Sequence, residues 1–207
     1  MIIENNTVCN TALFLIYRII IPTLSRARRA TVKIMANFYQ ATPDMLMGWF
    51  QQIDVDRGGT LSVAELQRAL GMAGLNFSGK FTNSLINMVD ADCSGALNVQ
   101  EFLTMHGHLK AAWSAFMQAD RDRSGILTLD EIVGAIGSLG FRLDLAPNGS
   151  FYTFIKSYDF DKSGRFSIDI FIAMYVTLFN AKQVHARMLT TNPSLSFDVY
   201  VWSLGQL

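Results

Sequence analysis

Four twelve-residue windows, beginning at Asp54, Asp90, Asp120 and Asp159, repeat one pattern of acids, small polar residues and a central glycine, and they restrict what this chain can become. The third reads Asp-Arg-Asp-Arg-Ser-Gly-Ile-Leu-Thr-Leu-Asp-Glu. A calcium ion takes six to eight hard oxygens, and a loop of this length offers them at positions 1, 3, 5, 7, 9 and 12. Asp120, Asp122 and Ser124 occupy the first three. Ile126 offers its backbone carbonyl, Thr128 stands at position 9, and Glu131 can close the site with both oxygens. Gly125 fills the sharp turn at position 6. An acid-rich surface turn is the alternative, but the complete spacing is rarely met by chance.

The remaining windows grade away from this one. The second supplies Asp90, Asp92, Ser94, the carbonyl of Ala96, Asn98 and Glu101 around Gly95, and Cys93 at position 4 points away from the ion. The first supplies Asp54, Asp56, Thr60, Ser62 and Glu65, but position 5 is Gly58, which has no side-chain oxygen. The fourth has Asp159, Asp161, Ser163, Gly164 and Ser167, yet Ile170 stands where the closing carboxylate belongs, and Asp169 lies one position early. Tight calcium binding there is not expected. A fifth frame, from Met188 to Val199 with Leu195 at the apolar position 8, has Pro193 at position 6 and no Asp at positions 1, 3 or 5. Proline cannot take the left-handed turn that glycine supplies, so this loop cannot hold the ion.

Charge tells the same story. Of 17 Asp and Glu residues, thirteen lie in the first four windows, while the net charge is zero. Acid is concentrated into loops, and no basic excess exists to bind nucleic acid by bulk electrostatics. With 207 residues, half of them apolar, the chain can bury a sizeable core. Two cysteines, Cys9 and Cys93, make no disulfide framework, which suits a reducing cytosol. His106, His108 and His185 have no metal or nucleophile spacing and read as helix-surface residues. No catalytic constellation is present, so the chain reads as a non-enzyme.

Between the windows the apolar residues recur at helical steps. Met45, Leu46, Trp49, Phe50 and Ile53 enter the first loop. Leu66, Ala69 and Leu70 leave it, ending at Gly71 with Gly74. Phe81, Leu85, Ile86 and Val89 enter the second. No turn signal separates Glu101 from Asp120, so one long helix carrying Phe102, Met105, Leu109, Trp113, Phe116 and Met117 should leave loop two and enter loop three. Ile132, Ala135, Ile136 and Leu139 run to Gly140. Phe151, Phe154, Ile155 and Tyr158 enter loop four.

Residues 1–34 are unlike the rest. An apolar run at 11–24, interrupted by Arg18 and Pro22, precedes Arg26, Arg28, Arg29 and Lys33. It is too short for a membrane span and makes a poor signal peptide. Three readings fit: a segment lying on an anionic membrane surface, a poorly ordered extension, or a start at Met35 with the preceding residues added in error.

The loop starts alternate long and short spacings, and short spacings imply a shared helix. Together with the long helix from Phe102 to Ala119, the run Gly-Ser-Leu-Gly-Phe-Arg-Leu at 137–143 and the segment Phe166-Ser-Ile-Asp-Ile-Phe-Ile, this arrangement resembles the penta-EF-hand family over residues 45–205. The resemblance implies an all-α fold of five EF-hand units with short β pairings between loops, occupying 35–207. Unit one should pair with two and three with four. Unit five should pair with its like in a second subunit, making a homo- or heterodimer through Phe197, Tyr200, Val201 and Trp202, unless that cluster folds back on its own core. The family's Gly/Pro-rich tail is replaced here by the apolar and basic segment. The expected role is a cytoplasmic calcium sensor-adaptor whose exposed apolar surface binds protein targets such as proline-rich peptides or membrane-trafficking proteins. Two alternatives are a regulatory subunit of a calcium-activated cysteine protease and a passive calcium buffer.

Overall fold

The computed structural model describes residues 40–72, 75, 77–141, 149–159, 161–190, 194, 196, 197 and 201. Residues 1–34, the fifth loop around Pro193, Tyr200 and Trp202 lie outside them. Seven helices are described: α1 Pro43–Ile53, α2 Val63–Met72, α3 Gly79–Asn87, α4 Val99–Ala119, α5 Leu129–Ser138, α6 Ser150–Tyr158 and α7 Ile168–Met188. The sequence-based helices fall in these places, and the uninterrupted run between loops two and three is the single 21-residue α4.

Local chemistry sets the boundaries. Pro43 opens α1, where its missing N–H costs nothing, and the Thr42 hydroxyl accepts the Met45 N–H at 3.4 Å. Ser78 caps α3 in the same way, accepting from the Phe81 N–H at 3.2 Å. At the end of α5, Gly140 takes φ +85°, and the Phe141 N–H reaches back to the Ile136 carbonyl at 3.4 Å. That is the left-handed helix stop that favours glycine. The described part of α2 runs to Met72, between Gly71 and Gly74, and Gly74 lies outside the described residues.

The loops join in pairs through position 8. The Leu61 and Leu97 backbones exchange hydrogen bonds of 2.7 and 2.9 Å, and those of Leu127 and Phe166 exchange bonds of 2.8 and 2.9 Å. Each pairing is one antiparallel bridge, and all four side chains are buried at 1% exposure or less. The β pairing expected between loops is present in this minimal form, and the partners are one with two and three with four.

A continuous apolar core runs through both pairs. Helix α7, about 32 Å long at 1.5 Å per residue, binds them together. It packs on α3, α4 and α6. Phe171 meets Phe116 of α4 edge-on at 5.7 Å, Phe179 meets His108 at 4.5 Å, and Tyr158 of α6 shares a 2.7 Å hydrogen bond with Thr177.

This packing corrects two sequence-based expectations. His106 is only 5% exposed, and His108 is half-buried with its Nδ1 at 3.0 Å from the Tyr175 hydroxyl, so neither is a simple surface residue. Helix α4 is covered by α1, α5 and α7 together, which leaves it little polar face. Val201 has no exposure at all within its own chain, and Phe197 rests against His185 with ring centroids 5.3 Å apart. Val201 therefore serves this chain's own core and is not available to a second subunit.

Candidate metal centres

In each of the first three loops the residue at position 9 precedes the exit helix and the glutamate at position 12 is the third residue inside it. Loop closure and helix capping therefore use the same atoms. Glu65 accepts from the backbone N–H of Ser62 at 3.0 Å and from the Ser62 hydroxyl at 2.6 Å, while its other oxygen accepts from the Val55 N–H at 3.0 Å. Glu101 accepts from Asn98 and Ala91, both at 3.0 Å, and the Asn98 side chain returns a bond to the Glu101 N–H at 3.0 Å. Glu131 accepts from Thr128 at 3.0 Å but from Arg121 only at 3.3 Å. Glu65 and Glu101 are buried, while Glu131 is half-exposed.

The first half of each loop curls around its position-1 aspartate. Asp54 accepts from the N–H groups of Gly58 and Gly59, both at 2.9 Å, Asp90 from Ser94 at 2.9 Å and Gly95 at 3.0 Å, and Asp120 from Ser124 and Gly125, both at 2.9 Å. The N–H at position 5 is shared with the position-3 acid, Asp56, Asp92 or Asp122, at 2.8 to 3.0 Å. This curl needs two left-handed residues. Gly59, Gly95, Gly125 and Gly164 supply one at position 6 with φ between +64° and +78°. The other is a non-glycine at position 4, Arg57, Cys93, Arg123 or Lys162, with φ between +54° and +58°. No sequence signal marks position 4; the turn imposes it. Cys93 is exposed there.

Carboxylate oxygens of Asp54, Asp56 and Glu65 lie within 4.8 Å of one another, as do those of Asp90, Asp92 and Glu101. Among the described residues only these two triads of acids gather so closely. Loop three has a complete ligand spacing in the sequence, yet its acids do not form a triad this close, and its Ser124 hydroxyl is turned to the Ile126 carbonyl at 2.9 Å. Ser94 makes the same bond to the Ala96 carbonyl at 3.1 Å. Thr60 is exposed at position 7 of loop one.

Hydrogen bonding favours the charged form of five of the loop acids. Bonds from the Ser62 hydroxyl and N–H hold Glu65 below the usual glutamate range, and the Thr128 N–H does the same for Glu131. Ser94 lowers Asp92, Ser124 lowers Asp122 and Ser163 lowers Asp161. Asp120 moves the other way, pushed up chiefly by burial. Clustered hard oxygens of this kind fit a divalent cation that prefers oxygen, and the donor set is that of calcium.

Loop four is built differently at its end. Asp159 and Asp161 accept from Gly164 and Ser163 as their counterparts do, at 3.1 to 3.2 Å. Ile170 instead joins the apolar core, and the exposed Asp169 bonds the Ser167 hydroxyl on the outside of the helix start. Asp169 therefore does not stand in for the missing clamp.

A family model described as an EF-hand domain pair matches residues 44–105, and one described as an EF hand matches 114–133. The fold and loops define an EF-hand calcium-binding protein. Within that class the chain resembles the penta-EF-hand proteins. It is 34% identical to peflin of Mus musculus over 96 residues, covering 46% of this chain and 35% of peflin. A solved structure of a homolog of programmed cell death 6 protein from Leishmania major Friedlin superposes with a TM-score of 0.51 at 27% identity, covering 83% of this chain and 98% of that one. Calcium-dependent protein kinase 33 of Arabidopsis thaliana is 27% identical over 158 residues, but the chain spans only 30% of that kinase's length.

Proposed function

We propose that this chain is a non-enzymatic calcium sensor-adaptor: calcium enters loops one to three, the glutamates at position 12 draw their exit helices toward the ion, and apolar surface opens to a protein target. The observation that carries this reading is the convergence of two acid triads to within 4.8 Å, each tied by its glutamate to the first turn of a helix. An ion that takes up that glutamate acts directly on the helix start.

A second feature favours a sensor over a passive buffer. A groove of about 280 Å³ lies between α4 and α5, with a floor of small residues such as Ala115, Ala119 and Gly134 and with Arg121, Asp130 and Glu131 on its walls. Movement of Glu131 toward an ion alters that wall, which offers a route from loop three to a bound target. Proline-rich peptides and membrane-trafficking proteins are the target classes that the penta-EF-hand resemblance implies. A cytoplasmic location, membrane association through residues 1–34, the division at residue 35 and dimerisation through unit five belong to the same reading. So does the alternative of a regulatory subunit docked on a protease chain.

The test is a calorimetric calcium titration of the full chain alongside an apolar-surface dye, with light scattering to measure mass. Micromolar binding with a calcium-dependent rise in dye signal is expected. Binding without any dye response would leave a buffer, and no uptake up to millimolar calcium would end the calcium reading.

A further inference from the structure

Helix α7 belongs to unit four, yet its C-terminal half lies on unit two. The Asn180 side chain donates to the Ser84 carbonyl at 2.9 Å, and the Gln183 side chain donates to the Met88 carbonyl at 3.0 Å. Ser84 lies in the last turn of α3 and Met88 is its C-cap, just before loop two. A few residues earlier, Tyr175 holds His108 of α4 at 3.0 Å and Phe179 packs edge-on against the same ring at 4.5 Å. Burial has pushed the Tyr175 hydroxyl up to about 12, so it stays protonated across the neutral range. One rigid helix thus grips both the entering and the leaving helix of a single calcium loop.

From this geometry we propose that α7 acts as an internal clamp that holds unit two closed, occupying the face between α3 and α4 that a target would otherwise use. The proposal rests on the reading that loop two binds calcium. Opening of a sensor EF-hand changes the angle between its helices by roughly 40°. Ser84 and Met88 are four residues apart, about 6 Å along α3, and two anchors define a direction. With α7 fixed to α4, a rotation of that size shifts one anchor relative to the other by about 4 Å, well beyond hydrogen-bond reach. Unit two therefore cannot open while both bonds persist. Calcium at loop two must work against them, and whatever draws α7 away makes that site stronger by the same factor.

The experiment uses the full chain carrying E65Q and E131Q, which leaves loop two as the remaining complete ligand set. Into it go N180A/Q183A and, separately, N180D/Q183E, which keeps side-chain volume and helix packing but cannot donate to the two carbonyls. Calorimetric calcium titration and apolar-dye fluorescence are read on all three proteins. Both clamp variants should bind calcium about tenfold more tightly than their parent, the loss expected of two neutral hydrogen bonds, and should show a larger calcium-induced dye signal. Unchanged affinity and dye response in both variants, with the parent still binding, would overturn the clamp and leave the calcium reading intact. A parent that takes up no calcium would remove loop two as a site, and the clamp with it.

Discussion

Replacing Glu101 by Gln separates the two tasks of that side chain. In the calcium-free protein Glu101, only 6% exposed, accepts charge-assisted bonds from Ala91 and Asn98. Glutamine keeps one acceptor and turns an NH2 toward the other N–H, a loss of about 2–4 kcal/mol. Against this, removing one charge from three acids within 4.8 Å relieves two repulsions. Asp92 is exposed, so each repulsion is worth about 1 kcal/mol in a water-like dielectric. The net cost without calcium is therefore about 0–2 kcal/mol. With calcium nothing offsets the loss. A site of about 1 μM affinity contributes about 4.1 kcal/mol in 1 mM calcium, and weakening it about 100-fold reduces that to about 1.4 kcal/mol. At about 2–4 °C per kcal/mol for a chain of this size, the calcium-induced rise in Tm should shrink by about 5–11 °C. Paired melts in chelator and in 1 mM calcium, with calorimetry to count sites, check this. An undiminished calcium-induced rise in Tm in E101Q, with no site lost, would refute the role of Glu101 as ligand.

Three further outcomes are expected. I170E supplies the missing clamp of loop four and should add one calorimetric site, at some cost in stability because Ile170 packs against the core; a titration with no additional site would count against the ligand frame there. L97A empties a fully buried position beneath the loop pairing and should cost about 2–5 kcal/mol in urea unfolding, whereas M72A, at an 81% exposed position, should stay within about 0.5 kcal/mol. Glu65 and Glu131 have folded values below the ordinary 4.5, so their contribution is present above that pH and is lost as pH falls through the lower folded values. Asp120, raised by burial, acts in the opposite sense, costing stability as it ionises above its ordinary 3.8. Melts in chelator from pH 7 to 3 should show the acid loss, and mutation of both glutamates to Gln should flatten it.

The glutamate clamps and glycine turns were legible in the sequence because each is set within one twelve-residue window, while the pairing of position-8 residues 36 and 39 positions apart and the uninterrupted α4 were legible because the window recurs and no turn signal breaks the run between loops two and three. The left-handed position 4 was not, since arginine, cysteine and lysine carry no preference for it and the neighbouring glycine and aspartate impose it. Nor was the burial of His106 and His108, which follows from how many helices happen to cover α4. Val201 looked like a partner contact for a similar reason: an apolar cluster at a chain end does not say which surface receives it.

By itself, the sequence determined that this chain forms paired calcium loops on helices, since ligand spacing and capping are short-range chemistry. Only the tertiary structure decided which acids converge, and that one helix of unit four grips unit two. The bonds from Asn180 and Gln183 join residues 96 and 95 positions away, through backbone carbonyls that every residue possesses. Partners of that kind leave no mark in local periodicity, because their pairing follows from the packing of whole helices.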